Sequence, residues 1–252
     1  MFSIDINCDM GESYGRFQVG NDAAIMPFVT SCNIACGYHG GDPLTIEKTI
    51  KLALQHGVQI GAHPSYPDLS GFGRRRMNVQ KDELKAMLKY QIGALKSMVE
   101  SLGGKLAYVK PHGALYNTAA NEITEATTII QAVQSIDSEL ILLGLAGSVM
   151  EKAAQYNDIR FAAEAFADRT YTAEGKLMNR HRPNAVIHDA ATAAAQVLSI
   201  VKKQEVISNE GTAVPVIAQS VCIHGDNPQA VEILGEIGRV LEVRGVSKRI
   251  FK

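Results

Sequence analysis

The residues with chemical potential in this chain fall in six short segments. The first reads Asp5-Ile6-Asn7-Cys8-Asp9, followed by Met10-Gly11-Glu12. Alternate residues of an extended segment share a face, so Asp5, Asn7 and Asp9 point together. Unpaired carboxylates are costly in a dry core, which leaves a solvated strand edge or the polar mouth of a binding site. The second segment, Asn33 to Pro43, sets His39 among glycines just ahead of Asp42-Pro43. The third, Gly61-Ala62-His63-Pro64, holds a histidine before a proline. The fourth, Val109-Lys110-Pro111-His112-Gly113, puts Lys110 and His112 two apart, on one face. The fifth contains Glu164, Asp168, Arg169 and Tyr171, and the sixth is His224-Gly225-Asp226. Carboxylates, imidazoles and an ammonium in these positions suit general acid–base work and charge stabilisation. Asp5, Asp9, His39, His63 and His112 also offer a mixed nitrogen and oxygen set for zinc or a similar ion.

Elements must bring these segments together. Short apolar runs alternate with amphipathic stretches. Strands are expected at 3–8, 29–35, 58–62, 106–109, 140–143, 161–165 and 214–223. Helices are expected at 81–102, 122–135, 148–156 and 187–203. Two more open on Asp42-Pro43 and Asn227-Pro228, each a cap followed by proline. About seven strands, most followed by a helix, predict a parallel sheet with covering helices. Functional residues lie at the C-terminal ends of at least five strands. That breadth predicts a (β/α) barrel over an open sheet, since the loops there build a barrel's site. No linker or low-complexity segment interrupts the chain, so residues 1–252 read as one domain.

Histidines sharpen the reading. His39, His63, His112 and His224 fall at four separate strand ends, whereas His56 and His188 fall at helix ends, with a surface role expected, and His181 stays ambiguous. Of the run Arg74-Arg75-Arg76, Arg74 is the candidate for gripping a carboxylate or phosphate through its fork.

Bulk properties exclude several classes. Hydrophobic residues at 46% allow a large core, and a formal net charge of -1 gives no reason to expect nucleic acid or an anionic membrane as partner. No apolar run approaches a membrane span, and nothing resembles a targeting signal, so a cytoplasmic location is expected. Cys8, Cys32, Cys36 and Cys222 lie in or beside apolar runs without CxxC spacing and read as buried thiols. The chain carries neither GxxxxGK[ST] nor GxGxxG with its distant acid, nor GxSxG or HExxH.

Taken together, the segments DINCDMGESYG (5–15), NIACGYHGGDP (33–43), GAHPSYPDLSGFGRR (61–75), VKPHGALYN (109–117), EAFADRTY (164–171) and CIHGD (222–226) resemble the LamB/YcsF family of 5-oxoprolinase A subunits, in order and over essentially the whole chain. The resemblance implies a barrel related to polysaccharide-deacetylase-like barrels. It also implies ATP-coupled hydrolysis of the lactam 5-oxo-L-proline to L-glutamate, together with subunits B and C, which handle the ATP. On this reading His63 or Asp9 is the general base, Lys110 and His112 stabilise the oxyanion, and Glu12 and Asp226 orient histidines. Asn7, Asn33, His39, Arg74, Glu164, Arg169, His224 and Asp226 form the substrate-binding set. A divalent metal and a homo-oligomer stay open. Two rivals also stay open: a stand-alone metal-dependent deacetylase or amidohydrolase, and a non-catalytic ligand-binding subunit.

Overall fold

The computed structural model describes residues 2–180 and 182–251; His181 therefore lies outside the described residues. In chain order the strands are β1 (Phe2–Met10), β2 (Ser31–Ala35), β3 (Gln59–His63), β4 (Leu106–Val109), β5 (Ile141–Leu145), β6 (Phe161–Phe166), β7 (Glu205–Ile207), β8 (Ala213–Pro215), β9 (Ser220–Ile223) and β10 (Val246–Lys248). Strands β1 to β6 and β9 lie side by side, and β9 pairs back onto β1 to close a seven-stranded barrel. Every pairing in the barrel is parallel. The expected barrel is thus the observed one.

The helices are α1 (Asp22–Ile25), α2 (Pro43–His56), α3 (Lys81–Ser101), α4 (Gly113–Ala119), α5 (Ile123–Ile136), α6 (Val149–Tyr156), α7 (Ala190–Lys203) and α8 (Ala230–Val243). Local chemistry sets their ends. The Asp42 carboxylate accepts from the backbone N–H groups of Leu44 and Thr45, Pro43 opens α2, and Gly57 ends it in the left-handed region at φ 65°.

Two expectations need correction. The stretch 214–223 is not one strand: β8 pairs antiparallel with β7 in a separate hairpin, and only β9 joins the barrel. Pro215 explains the break, because proline cannot donate to a central ladder. Asn227 does not cap the last helix; its side chain accepts from Gln229 N in a turn, and α8 begins at Ala230. The short elements α1, α4 and β10 were not foreseen. Too few residues repeat in them to give a period.

Strand alternation divides β1 cleanly. Ile4, Ile6, Cys8 and Met10 join the apolar core under the helices, while Asp5, Asn7 and Asp9 are buried on the opposite face, inside the barrel. A barrel interior is usually filled by branched apolar side chains. Here much of it is a polar network. Asn33 Nδ2 donates to Asn7 Oδ1 at 2.7 Å and to Asp9 Oδ1 at 2.8 Å. Asn7 Nδ2 donates to Glu164 Oε1 at 2.8 Å, and Tyr108 Oη donates to Asn33 Oδ1 at 2.7 Å. The Tyr108 ring crosses the interior directly above Gly61, where an added Cβ would lie 2.1 Å from it. At the closed end Tyr108 packs with Ile141, Leu143, Ala162 and Phe251. The four cysteines are buried free thiols.

Candidate active site

At the opposite end of the barrel, the last residue of β3 and the loops following β1, β2 and β4 bring three imidazoles and a carboxyl together. His39 stacks on His112 with centroids 3.7 Å apart, and His63 stands edge-on to both. Glu12 Oε1 lies 3.1 Å from His39 Nε2 and 3.5 Å from His112 Nδ1. His63 Nε2 lies 2.9 Å from His112 Nδ1 and 3.4 Å from Asp9 Oδ2. The loop after β3 covers the cluster: Gly73 adopts φ +64°, and a Cβ there would sit 2.7 Å from His112 Cδ2.

The outer nitrogens fix the tautomers. His63 Nδ1 donates to Lys110 O at 2.7 Å, and His112 Nε2 donates to Phe72 O at 2.9 Å. Carbonyl oxygens only accept, so both of those nitrogens carry protons. Ser65 Oγ gives its proton to Tyr66 O and so accepts from His39 Nδ1. With those outer nitrogens protonated, the inner nitrogens of His39 and His112 are lone pairs, and His63 Nε2 faces that of His112. Burial, then neighbouring His39 and His63, hold His112 well below the usual imidazole range; burial and His63 do the same for His39. Lone pairs 2.9 Å apart repel unless a proton or a metal cation lies between them. One ligand atom each from Glu12, His39, His63 and His112 falls within 4.8 Å of the others. The set matches a nitrogen-rich divalent site with its supporting outer hydrogen bonds.

Asp5 is corrected out of the metal set. Four residues before Asp9 on one strand, it lies about 13 Å away along the chain. Its Oδ1 accepts from Thr30 and Ser31 hydroxyls at 2.6 Å, and its Oδ2 accepts from Ser220. Burial pushes its carboxyl up to about 6. Glu12, assigned to orient histidines, lies against His39 and His112 and also stands among the cluster's ligand atoms. Burial, then Asp9 and Asp226, raise its pKa well above the ordinary glutamate value.

Lys110 occupies the centre of the polar interior, 2.9 Å from Glu164 Oε1, 3.1 Å from Asp9 Oδ1 and 3.0 Å from Cys222 Sγ. Burial disfavours its charge, but Asp9, Cys222 and Glu164 outweigh that and keep it an ammonium. Burial also opposes charge on Asp9, yet His63 and Lys110 hold that carboxyl well below its usual range. β4 ends at Val109, so the two-residue rule does not extend to His112. Lys110 points among carboxylates and His112 among imidazoles, though both border one pocket with Asp9, His63, Arg74, Arg169 and His224.

The remaining predicted residues divide. Arg74 turns inward to Asp226, at 3.2 Å, while Arg75 pairs with Asp68 and Arg76 with Glu122. Asp226 therefore holds Arg74 and Arg180, not a histidine, which corrects its assigned role. The residue that orients His224 is Asp168, whose Oδ1 lies 3.0 Å from Nδ1. Sequence reasoning placed Asp168 at the β6 end but gave it no task. β6 ends at Phe166, so strand alternation gave no signal for Asp168 in the loop beyond it. Arg169 donates to Ala185 O and Met178 O. Tyr116, which donates to Glu164 Oε2 at 2.9 Å, was also missed; it lies on the unforeseen α4.

The sequence profile of the LamB/YcsF family matches residues 4–252. The chain belongs to this family. The A subunit of 5-oxoprolinase from Bordetella parapertussis is 50% identical over 97% of this chain and 97% of its own length. The crystal structure of a lactam utilization protein from Thermus thermophilus superposes with a TM-score of 0.94 at 42% identity, covering 99% of this chain and 100% of that one. A T48 deacetylase with substrate shares the barrel alone, at a TM-score of 0.50 and 11% identity over 98% of this chain and 87% of the other. Among the described residues no helix is long and apolar enough to cross a membrane.

Proposed function

We propose that this family member is the component of an ATP-dependent 5-oxoprolinase that adds water to the lactam and opens it to L-glutamate. The observation that carries the reading is the convergence of Asp9, His63, Lys110 and His112 on one buried pocket, with Glu12 against the imidazoles. Relatives of near-equal length named for 5-oxoprolinase and for lactam utilization support the substrate class.

The chain's own residues then take these parts. Asp9, kept ionised by His63 and Lys110, receives a proton from the attacking water. Lys110 supplies fixed positive charge to the developing oxyanion in a site that excludes bulk water. His224, anchored through Nδ1 by Asp168, protonates the departing ring nitrogen through Nε2. Arg74 and Arg169 border the pocket and present their forks to an anionic group of the substrate. Glu12, His39, His63 and His112 would hold a divalent cation. When bound, such an ion supplies Lewis acidity at a carbonyl oxygen or water. A lactam is a stable amide, so its opening needs external driving force. In this reading subunits B and C spend ATP to activate the ring, and the cytoplasm is the setting.

Oxoproline hydrolysis measured with and without subunits B and C and ATP tests the proposal. His63→Ala is expected to lower turnover of the complex about tenfold or more, within the range of acid–base contributions. Unaided turnover of ATP and oxoproline by the isolated chain would overturn the division of labour. The imidazole cluster also favours a second reading, a metal-dependent amidohydrolase acting alone. Release of acetate from N-acetylated sugars without partners would select it.

A further inference from the structure

Beside the catalytic pocket lies a second, much larger cavity of about 720 Å³. The two share Arg74, Asn117, Arg169 and Leu177 in their walls. A five-membered lactam fills only a small part of such a volume, which belongs to the size class of drug-sized ligands.

The charges in its walls are unbalanced. Among the described residues Arg74, Arg169, Lys176 and Arg180 line it, against one lining carboxylate, that of Glu174. Asp226 adds one more, but a single oxygen, Oδ2, serves both Arg74 at 3.2 Å and Arg180 at 3.1 Å. Among the described residues Arg169 hydrogen-bonds to neutral carbonyls, with the Asp168 carboxylate near it. The Arg180 Nε–H is buried and has no hydrogen-bond partner among the described residues. Sharing one oxygen of Asp226 brings Arg74 and Arg180 together, Arg180 disfavours the charge on both Arg74 and Arg169, and a bound dianion would relieve them. The Gly147-Ser148 turn at the start of α6 adds the partial positive charge of a helix N-terminus. One fork satisfies a carboxylate; three arginines around one space suit a doubly charged, tetrahedral group with several acceptor oxygens.

We propose that this cavity is a phosphoryl-binding subsite, centred on Arg74, Arg169 and Arg180, that takes the phosphate of a phosphorylated small substrate or of a nucleotide. The walls shared with the catalytic pocket would set that phosphate next to the reacting ring. Which molecule bears the phosphate rests on the oxoprolinase reading; the anion site itself does not.

The test uses the full chain, dialysed against a chelator so that no metal competes for anions. Calorimetric titration with inorganic phosphate is expected to show one site. Arg180→Ala should weaken it at least tenfold and Arg180→Lys less, with unchanged melting temperatures reporting an intact fold. ATP binding tenfold tighter than phosphate assigns the subsite to a nucleotide; equal affinities assign it to a small phosphorylated substrate. Equal phosphate affinity in wild type and Arg180→Ala, or no binding by wild type, overturns the proposal. Arginine-dependent phosphate binding by a chain whose complex cannot open oxoproline would keep the subsite and remove the oxoprolinase reading; normal turnover without phosphate binding would do the reverse.

Discussion

His63 Nε2 and His112 Nδ1 face each other at 2.9 Å, each on a ring whose other nitrogen donates to a backbone carbonyl. The protein has thus aimed two ring nitrogens at one point, where a single proton or a metal cation fits between them.

The first prediction follows from that arrangement. The purified chain is expected to bind one equivalent of zinc or cobalt, and His112→Ala is expected to abolish stoichiometric binding. Loading at a hundredfold excess over the dissociation constant should add about 2.7 kcal/mol of stability, read as a rise in melting temperature over chelated protein. Identical melting curves with and without metal would remove the site.

A second concerns Lys110, whose ammonium holds Asp9 and Glu164 together inside the barrel. Lys110→Met leaves two carboxylates buried without their cation and should cost about 3–5 kcal/mol in urea unfolding. Adding Asp9→Asn and Glu164→Gln should recover much of that loss. A triple variant no more stable than Lys110→Met would show that the ion set is not what holds this region.

Asp5 gives a pH dependence. Its carboxyl is raised from 3.8 to about 6 in the folded chain. The stability it contributes is therefore fully present below its unfolded value and is lost as pH rises through about 6. The loss is about 3 kcal/mol. Asp5→Asn cannot ionise, so its stability relative to wild type should climb by about that much between pH 4 and pH 7. Parallel profiles for the two proteins would contradict the raised value.

Gly61 is expected to refuse any side chain. A methyl at 2.1 Å from the Tyr108 ring forces that ring from the interior and breaks its bond to Asn33. Gly61→Ala should cost about 3 kcal/mol, the upper end for overpacking. Pairing it with Tyr108→Ala should make the two costs less than additive. Full additivity in chemical denaturation would rule out the contact as the cause.

Much of this was legible in the residues themselves. The alternation of Ile4, Ile6 and Cys8 with Asp5, Asn7 and Asp9 assigns the two faces of β1 before any fold is known. The histidines at four strand ends point to one barrel mouth, and His39, His63 and His112 do meet there. What stayed hidden depended on distances across the chain. No local pattern shows that Asp226 reaches two arginines instead of a histidine, or that Asp168 reaches His224 from a different strand. Asp5 shares the face of Asp9, but face alone does not give depth along a strand. Pro215 was a readable warning that the apolar run 214–223 could not be a single central strand.

The seal that Phe251 makes against Tyr108 at the far end of the barrel has a consequence for traffic. A vessel stopped at its base fills and empties through one rim. On the proposed activity, glutamate must depart by the route oxoproline took, and the next molecule waits until it has gone. On the same proposal, a partner subunit seated over that rim controls arrival and departure together, so turnover can be no faster than the rim is uncovered.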